Sequence, residues 1–151
     1  MNVFDDQMVQ AKMIFHAEGH QTGLNLLVTE IHWPPNNVTL PHIHELEDES
    51  FFILEGSVTI KIGPPDQERE LIELSKGEFG WAPRNHWHEV NVGPDGAHVL
   101  LLQTPGSQLS NYFRIIGSEI QVESQEDFER MNEWSQLNFG LRFWSRAADL
   151  V

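Results

Sequence analysis

The chain of 151 residues contains no cysteine, and this absence excludes disulfide bonds and thiolate zinc sites. Basic residues are scarce, since 9 Lys and Arg stand against 23 Asp and Glu, which gives a formal net charge of −14. A surface of that charge repels phosphate backbones, so we expect no nucleic-acid partner. The simplest role for the charge is solubility.

Long apolar runs are also missing, so we expect no transmembrane helix and no membrane partner. The N-terminal stretch is acidic and lacks the basic-then-apolar order of a secretory signal, so the cytoplasm is the expected location. The chain is 40% hydrophobic and 10% aromatic, which is typical of a globular protein. No internal repeat is visible, and the length predicts a single domain over residues 1–151.

Between about residues 14 and 105 the chain alternates β-rich segments with turn residues. The predicted strands include residues 25–32, 51–62, 71–74, 79–82 and 98–103. Gly56 predicts a bend or bulge inside the longest of them. Residues 93–96, Gly-Pro-Asp-Gly, predict a hairpin-like turn. Many short strands at this spacing indicate an all-β sandwich or barrel.

The periodicity changes after the barrel, and residues 107–151 predict a short helical extension. A first helix is expected to present one apolar face and to end at Gly117 as a C-cap. A second is expected over residues 124–137, capped by Ser124 with Asp127 at its third position. Its predicted apolar stripe is Phe128, Met131, Trp134 and Leu137. The tail 139–144 is rich in aromatic residues, so we expect it to pack onto the barrel or a partner chain.

Three histidines and one glutamate stand at spacings that indicate a metal site: His42, His44, Glu49 and His88. His42 and His44 differ by two positions, so on a strand their side chains face the same side. Glu49 follows His44 at an odd separation, so a turn or bulge must intervene, and the acidic run 45–48 is the expected place. His88 must come from a separate strand. We therefore predict one divalent metal ion held by these four side chains.

The predicted ligand set suits iron(II), manganese, nickel, cobalt, copper(II) or zinc, and affinity order alone does not choose among them. Three neutral imidazoles and one carboxylate on a divalent ion leave a net charge of +1, which favours an anionic oxygen ligand in an open position. Without a metal, four such groups would have to be satisfied by hydrogen bonds, and their desolvation would be costly. Glu47 and Asp48 are most simply part of a solvated acidic loop.

Several other side chains are candidates for a pocket beside the metal. Phe51 and Ile53 share the strand phase of the glutamate ligand, so we expect them to supply apolar walls. Trp33, Trp81 and Trp87 flank the ligands in sequence, and each either lines an aromatic-substrate pocket or packs in the barrel. Of the three, Trp81 is the one we place in the candidate pocket.

The remaining histidines have weaker patterns. His86 stands two positions before His88, but we interpret it as a turn or rim residue. His98 shares its phase with two leucines and is expected in the core or in the pocket lining. His16, His20 and His32 show no partner pattern, and the sequence assigns them no role.

Two segments resemble the motifs of the cupin superfamily. Residues 42–56, HIHELEDESFFILEG, match the first motif, and residues 77–91, GEFGWAPRNHWHEVN, resemble the second. Three asparagines depart from the pattern: Asn36 and Asn85 stand where glycine is usual, and Asn91 lies one position closer to His88 than usual. The first two are turn positions at which asparagine tolerates the left-handed region. Residues 104–106 and 111–114 extend the likeness to small quercetinase-like cupins.

The resemblance implies a double-stranded β-helix, a jelly-roll-like barrel, with short C-terminal helices. It also implies a metal-dependent dioxygenase in which Glu49 takes the proton of a small oxygenated substrate, aromatic or enolisable, bound as an anion. Two alternatives stay open: a non-catalytic or regulatory metabolite-binding cupin, and a metal-assisted isomerase or lyase. The resemblance and the barrel's open edge further predict a homodimer, with the N-terminal strand or residues 139–144 at the contact.

Overall fold

The two longest strands, β4 (Asp48–Gly63) and β7 (Trp87–Thr104), pair antiparallel along most of their length. A computed structural model describes residues 11–119 and 123–144 of the chain. The other described strands are β1 (Lys12–Ala17), β2 (Leu27–Trp33), β3 (His42–His44), β5 (Glu70–Ser75), β6 (Phe79–Ala82) and β8 (Leu141–Phe143). Two helices, α1 (Leu109–Glu119) and α2 (Gln125–Phe139), lie between β7 and β8.

The strands form one curled sheet in the order β1-β2-β7-β3-β8, and β4 pairs with β5, β6 and β7 off this path. Burial alternates along each central strand, as expected when one face packs on a core and the other faces outward. On β2, for example, Leu27, Thr29, Ile31 and Trp33 are buried. The inward residues of β2, β4 and β7 form the main apolar core. The predicted all-β barrel is therefore confirmed.

The longest pairing contains a wide bulge instead of the predicted hairpin turn at residues 93–96. Val92 pairs with Val58 and Ala97 pairs with Gly56, so both halves of β7 stay on the same partner strand. Gly56 and Gly96 adopt positive φ angles of 76° and 78° at this point. The backbones approach closely, because a Cβ on Gly56 would lie 2.0 Å from the Gly96 carbonyl oxygen. The predicted irregularity at Gly56 is thus confirmed, and the hairpin is wrong.

Asn36 and Asn85 lie in turns with φ angles of 59° and 64°. These are left-handed conformations, which asparagine tolerates better than most residues with a Cβ. The prediction that asparagine replaces glycine at two such positions is confirmed.

The helices differ from their predicted limits. α1 continues to Glu119, so Gly117 does not end it. α2 begins after Ser124, whose side chain accepts a hydrogen bond from the Asp127 amide, as predicted. The helix ends at Gly140, which forms a C-cap. The φ angle of Gly140 is 61°, and its amide N–H donates a hydrogen bond to the Gln136 carbonyl. Within the described residues no helix is long and apolar enough to cross a membrane.

The predicted apolar stripe of α2 is wrong at Leu137, which is 79% exposed. Leu137 follows Phe128 by nine positions, about 180° around a helix with 3.6 residues per turn. Ser135 lies four positions after Met131 and occupies the buried face instead. Its hydroxyl donates to the Tyr112 oxygen at 3.3 Å.

The aromatic tail packs back onto the barrel. β8 pairs with β3, with Phe143 opposite His42 and Leu141 opposite His44. The extension after residue 107 is therefore not wholly helical, and the short strand β8 is the correction. Leu141 and Phe143 join Tyr112 and Phe128 in a second apolar cluster that anchors both helices. The end of the predicted extension, residues 145–151, lies outside the described residues, as do residues 1–10 and 120–122.

The two faces of α2 give a direct test of this packing. We expect Phe128→Ala to lower the free energy of unfolding by about 3–5 kcal/mol, because it leaves a cavity in the second cluster. The matched variant Leu137→Ala should change it by less than about 0.5 kcal/mol, because its side chain is in solvent. Urea unfolding followed by circular dichroism measures both. Equal destabilisation of the two variants would contradict the described helix face.

Candidate metal centre

Three strands bring the four predicted ligands together. His42 and His44 lie on β3, Glu49 near the start of β4 and His88 near the start of β7. His42 and His88 are direct cross-strand neighbours. The predicted turn between His44 and Glu49 is present at residues 45–47. One nitrogen or oxygen from each of the four side chains lies within 4.8 Å of the others.

Backbone carbonyls fix the orientation of two of the imidazoles. His42 Nδ1–H donates to the Leu40 carbonyl at 2.7 Å, and His88 Nδ1–H donates to the His86 carbonyl at 3.2 Å. A carbonyl only accepts, so in the neutral rings Nε2 keeps its lone pair. His44 Nε2 and His88 Nε2 lie 2.7 and 3.4 Å from Glu49 Oε2. The Nε2 atoms of His44 and His88 therefore converge on the Glu49 carboxylate.

The cluster leaves buried polar atoms without partners. His44, Glu49 and His88 are 3%, 5% and 2% exposed, and neither Glu49 Oε2 nor His88 Nε2 makes a hydrogen bond of normal geometry. Such atoms cost about 1–3 kcal/mol each when nothing satisfies them. A divalent cation would satisfy both atoms at once, and three imidazoles with one carboxylate are donors that first-row transition metals accept. The residues present fit a metal ion.

The charges within the cluster also fit a cation. Burial lowers the pKa of His42, and the neighbouring His88 and His44 lower it further, so His42 is neutral. Burial alone would raise the pKa of Glu49, but His44 and His88 outweigh it and hold that pKa well below its usual range. Glu49 is therefore ionised, and the neutral imidazole of His42 lies in the same cluster.

Glu47 is a buried partner of His44 and not the solvated residue predicted from sequence. Its side chain is 0% exposed, and its carboxylate lies 3.5 Å from His44 Nδ1. Burial lowers the pKa of His44, but Glu49 and Glu47 outweigh it and raise that pKa to about 9. A cation that binds His44 Nε2 must therefore displace a proton at neutral pH. The long acidic run conceals Glu47 in the sequence, whereas Asp48 does face outward and pairs with Arg84.

A cavity of about 50 Å³ adjoins the four side chains. Phe51 lines it and meets His88 edge-on, with ring centroids 6.2 Å apart. Ile53 is fully buried in the core and does not line the cavity. The other lining residues are Ala11, Met13, Ile31, Trp33, Thr39, Leu40, Val90, Leu101, Phe113, Leu141 and Phe143. The wall is thus mainly apolar, and no lysine or arginine stands among its described residues.

Two further predicted pocket residues, Trp81 and His98, also lie outside the cavity. Trp81 is 54% exposed, because the alternation of β6 turns Gly80 and Ala82 inward. His98 lies on the outer face of β7. It is an even number of residues from His88, but the wide bulge between them reverses the inward phase.

The other residues that flank the four ligands in sequence are His86, Trp87 and Trp33. His86 lies outside the four-residue cluster, just before β7, as the turn prediction requires. Trp87 is buried beneath the Arg69 guanidinium, which lies 3.9 Å from its ring centroid, so it packs in the barrel. Trp33 does line the cavity.

Three lining residues come from the extension after the barrel and were not predicted as pocket residues: Phe113, Leu141 and Phe143. The aromatic richness of the tail was the only available signal. It predicted packing onto the barrel, but it did not predict that the tail would reach the cavity. The Phe143 ring centroid lies 5.6 Å from that of His42.

A family model described as the cupin domain matches residues 29–102, which include all four converging side chains. The chain belongs to the cupin superfamily. Among curated proteins, this cupin is 24% identical over 94 residues to quercetin 2,3-dioxygenase from Aspergillus japonicus. That match covers 61% of the chain but only 27% of the dioxygenase, so the chain spans about a quarter of that relative's length.

Solved structures support the double-stranded β-helix fold. KdgF from Halomonas sp. superposes with a TM-score of 0.55 at 19% identity, covering 67% of this chain and 85% of that one. Oxalate oxidase in complex with glycolate superposes with a TM-score of 0.58 at 18% identity, covering 66% of this chain and 53% of that one. At these identities the likeness establishes the fold of this cupin and not its reaction.

The buried contact of Glu47 with His44 yields a prediction about metal affinity. A carboxylate behind a ligating imidazole orients the ring and raises its basicity, so Glu47→Gln should weaken binding of Zn²⁺ by about 10–100-fold. Competition with a chromophoric chelator measures this change. Glu45→Gln is the matched control, because Glu45 accepts a hydrogen bond from Gln136 instead of facing a ligand. Equal affinities for the two variants would remove the role assigned to Glu47.

Proposed function

We propose that His42, His44, Glu49 and His88 bind one divalent transition metal and that this cupin is a dioxygenase. Its substrate would be a small oxygenated compound, aromatic or enolisable, that binds as an anion. The observation that carries the proposal is the convergence of these four side chains, with unpartnered buried atoms, on one mainly apolar cavity. The distant likeness to quercetin 2,3-dioxygenase supports the reaction class.

The charge of the site supports an anionic ligand. One carboxylate on a divalent ion leaves a net charge of +1, and no lysine or arginine stands among the described lining residues to balance a second negative charge. When bound, the metal would supply Lewis acidity, lowering the pKa of a substrate hydroxyl, and a redox-active ion would pass electrons from the substrate, which is oxidised, to O₂, which is reduced. A singly charged substrate therefore fits better than a dianion.

The size of the cavity narrows the substrate class. Its volume of about 50 Å³ is well below the roughly 300–1,000 Å³ of typical small-molecule pockets. Phe51 and Phe143 occupy the space beside the ligands. A flavonol would need this wall to open, whereas a β-diketone or a single-ring catechol demands less movement. We therefore rank small enolisable compounds and catechols ahead of flavonols.

The side chains around the cluster have separable roles in this proposal. Phe51, Leu141 and Phe143 exclude water from the reacting centre. His42 and His88 are held by backbone carbonyls, so their ring positions are fixed before the substrate arrives. The Glu49 carboxylate, ionised and buried, accepts the proton that the substrate hydroxyl loses.

Two other functions use the same cluster. A metabolite-binding or regulatory cupin would hold the anion without turnover, and an isomerase or lyase would move protons without O₂. Both predict substrate binding without O₂ consumption, so O₂ uptake separates the dioxygenase from its rivals. The superfamily fold by itself does not choose among the three.

The experiment is O₂ uptake by protein reconstituted separately with iron(II), manganese, nickel, cobalt, copper(II) and zinc. Acetylacetone, catechol and quercetin serve as substrates. We expect uptake with at least one redox-active metal, fastest with the smaller compounds, and none with zinc. Glu49→Gln should abolish uptake while the three histidines retain part of the metal, and Glu45→Gln should leave uptake unchanged. Substrate binding without uptake across the whole panel would favour the binding-protein or isomerase function.

A homodimer and a cytoplasmic location remain predictions. Leu141 and Phe143 already pack within the chain, which leaves the N-terminal edge strand β1 as the proposed contact. Light scattering at micromolar concentration should give twice the monomer mass of 17.4 kDa. A monomer mass would contradict the proposed dimer.

A further inference from the structure

Four side chains to which the metal centre gives no role meet on the outer face of the sheet: His16 on β1, Glu30 and His32 on β2, and His98 on β7. His98 Nε2 lies 2.6 Å and His32 Nε2 3.2 Å from Glu30 Oε1. His16 Nε2 lies 2.6 Å from Glu30 Oε2. Three imidazole nitrogens are therefore directed at one carboxylate. We call this group the outer cluster.

The strand register holds the outer cluster in place. His32 and His98 are direct cross-strand neighbours, and their rings stack with centroids 3.9 Å apart and an interplanar angle of 21°. Glu30 is two residues from His32 and shares its face of β2. Hydrogen bonds from His16 and His98 lower the pKa of Glu30 to about 2, so its carboxylate is ionised.

The spacing and the surroundings suit a cation. Ligand atoms of Glu30, His32 and His98 all lie within 4.8 Å of one another. Around a tetrahedral zinc ion with bonds of about 2.0–2.1 Å, neighbouring ligand atoms are roughly 3.3 Å apart. Glu30 Oε1 already lies 2.6 and 3.2 Å from the ring nitrogens of His98 and His32. His32 and His98 also border an open depression whose rim carries Glu55 and Asp95. Lys76 pairs with Glu55, so Asp95 and the net charge of −14 are the features that favour cation approach.

The outer cluster is separate from the metal centre. Glu30 and His32 alternate along β2 with Ile31 and Trp33, which face the inner cavity. The thickness of the sheet therefore lies between the two groups. They share no residue, so each can be altered without removing a ligand of the other.

We propose that Glu30, His32 and His98 form a second binding site for a divalent transition metal such as Zn²⁺. The rings have intermediate or higher exposure, so an ion can enter from solvent, and the borderline nitrogen and oxygen donors select zinc-like ions over calcium or magnesium. An ion there would crosslink β2 and β7.

Equilibrium dialysis against Zn²⁺ alone, followed by elemental analysis, tests the second site. The double variant His32→Ala/His98→Ala should bind one equivalent less than the wild-type protein. His44→Ala/His88→Ala should keep the outer ion while losing the central one. His20→Ala is the matched control, because His20 is exposed and belongs to neither group. It should leave the stoichiometry unchanged.

The proposal is tested by the difference in bound zinc equivalents between the wild-type protein and His32→Ala/His98→Ala. This difference does not depend on whether the metal centre binds an ion. If the two proteins bind the same number of equivalents, the outer cluster is only a hydrogen-bonded group and the proposal is overturned. Glu30→Gln supplies a second test that keeps every histidine. It should weaken outer-site binding at least tenfold in the His44→Ala/His88→Ala background, and unchanged affinity would also count against the site.

Discussion

The antiparallel pairing of β4 with β7 is the constraint on which the rest of this structure depends. It places Glu49 opposite Gln103 and His88 opposite Ile62, at the two ends of the ladder. The curl of the sheet then brings these two ends together, so that Glu49 and His88 meet in one cluster. The same pairing contains the bulge at residues 93–96, which reverses the inward phase of β7. His88 therefore faces the cavity and His98 faces outward, so one strand serves two groups of ionisable side chains on opposite faces.

The meeting of His42, His44 and Glu49 could be predicted from sequence because its information is local. The two-residue spacing of His42 and His44 and the odd step to Glu49 require a strand and a turn, and both are present. His88 needed the family resemblance as well, because spacing alone does not say which later strand returns to the site. The α2 cap at Ser124 was equally local, and it was also predicted correctly.

The features that the sequence could not predict are of two kinds. Some depend on whether a residue faces inward after many intervening residues of a strand or helix, and others depend on tertiary contacts. The phase that His98 shares with Leu100 and Leu102 predicts a buried position, but the bulge turns the alternate residues Val99 and Leu101 inward. Leu137 continues the predicted stripe of α2, yet it lies about 180° around the helix from Phe128 and is exposed. Glu47 lies in an acidic run, where composition predicts solvent exposure, yet the turn buries it behind His44. The cross-strand meeting of His32 with His98 requires a register that no single-strand pattern contains.

The central claim is that His42, His44, Glu49 and His88 bind one metal ion. X-ray absorption spectroscopy of the zinc-loaded His32→Ala/His98→Ala variant tests it most directly, because that variant lacks the outer cluster. The account predicts one equivalent of zinc with the multiple-scattering signature of three imidazoles, together with oxygen ligation, at bonds of about 2.0–2.3 Å. Additional His42→Ala should reduce the imidazole count by one. A spectrum dominated by water oxygens, or one unchanged by loss of His42, would contradict the assignment of these four side chains to one metal ion.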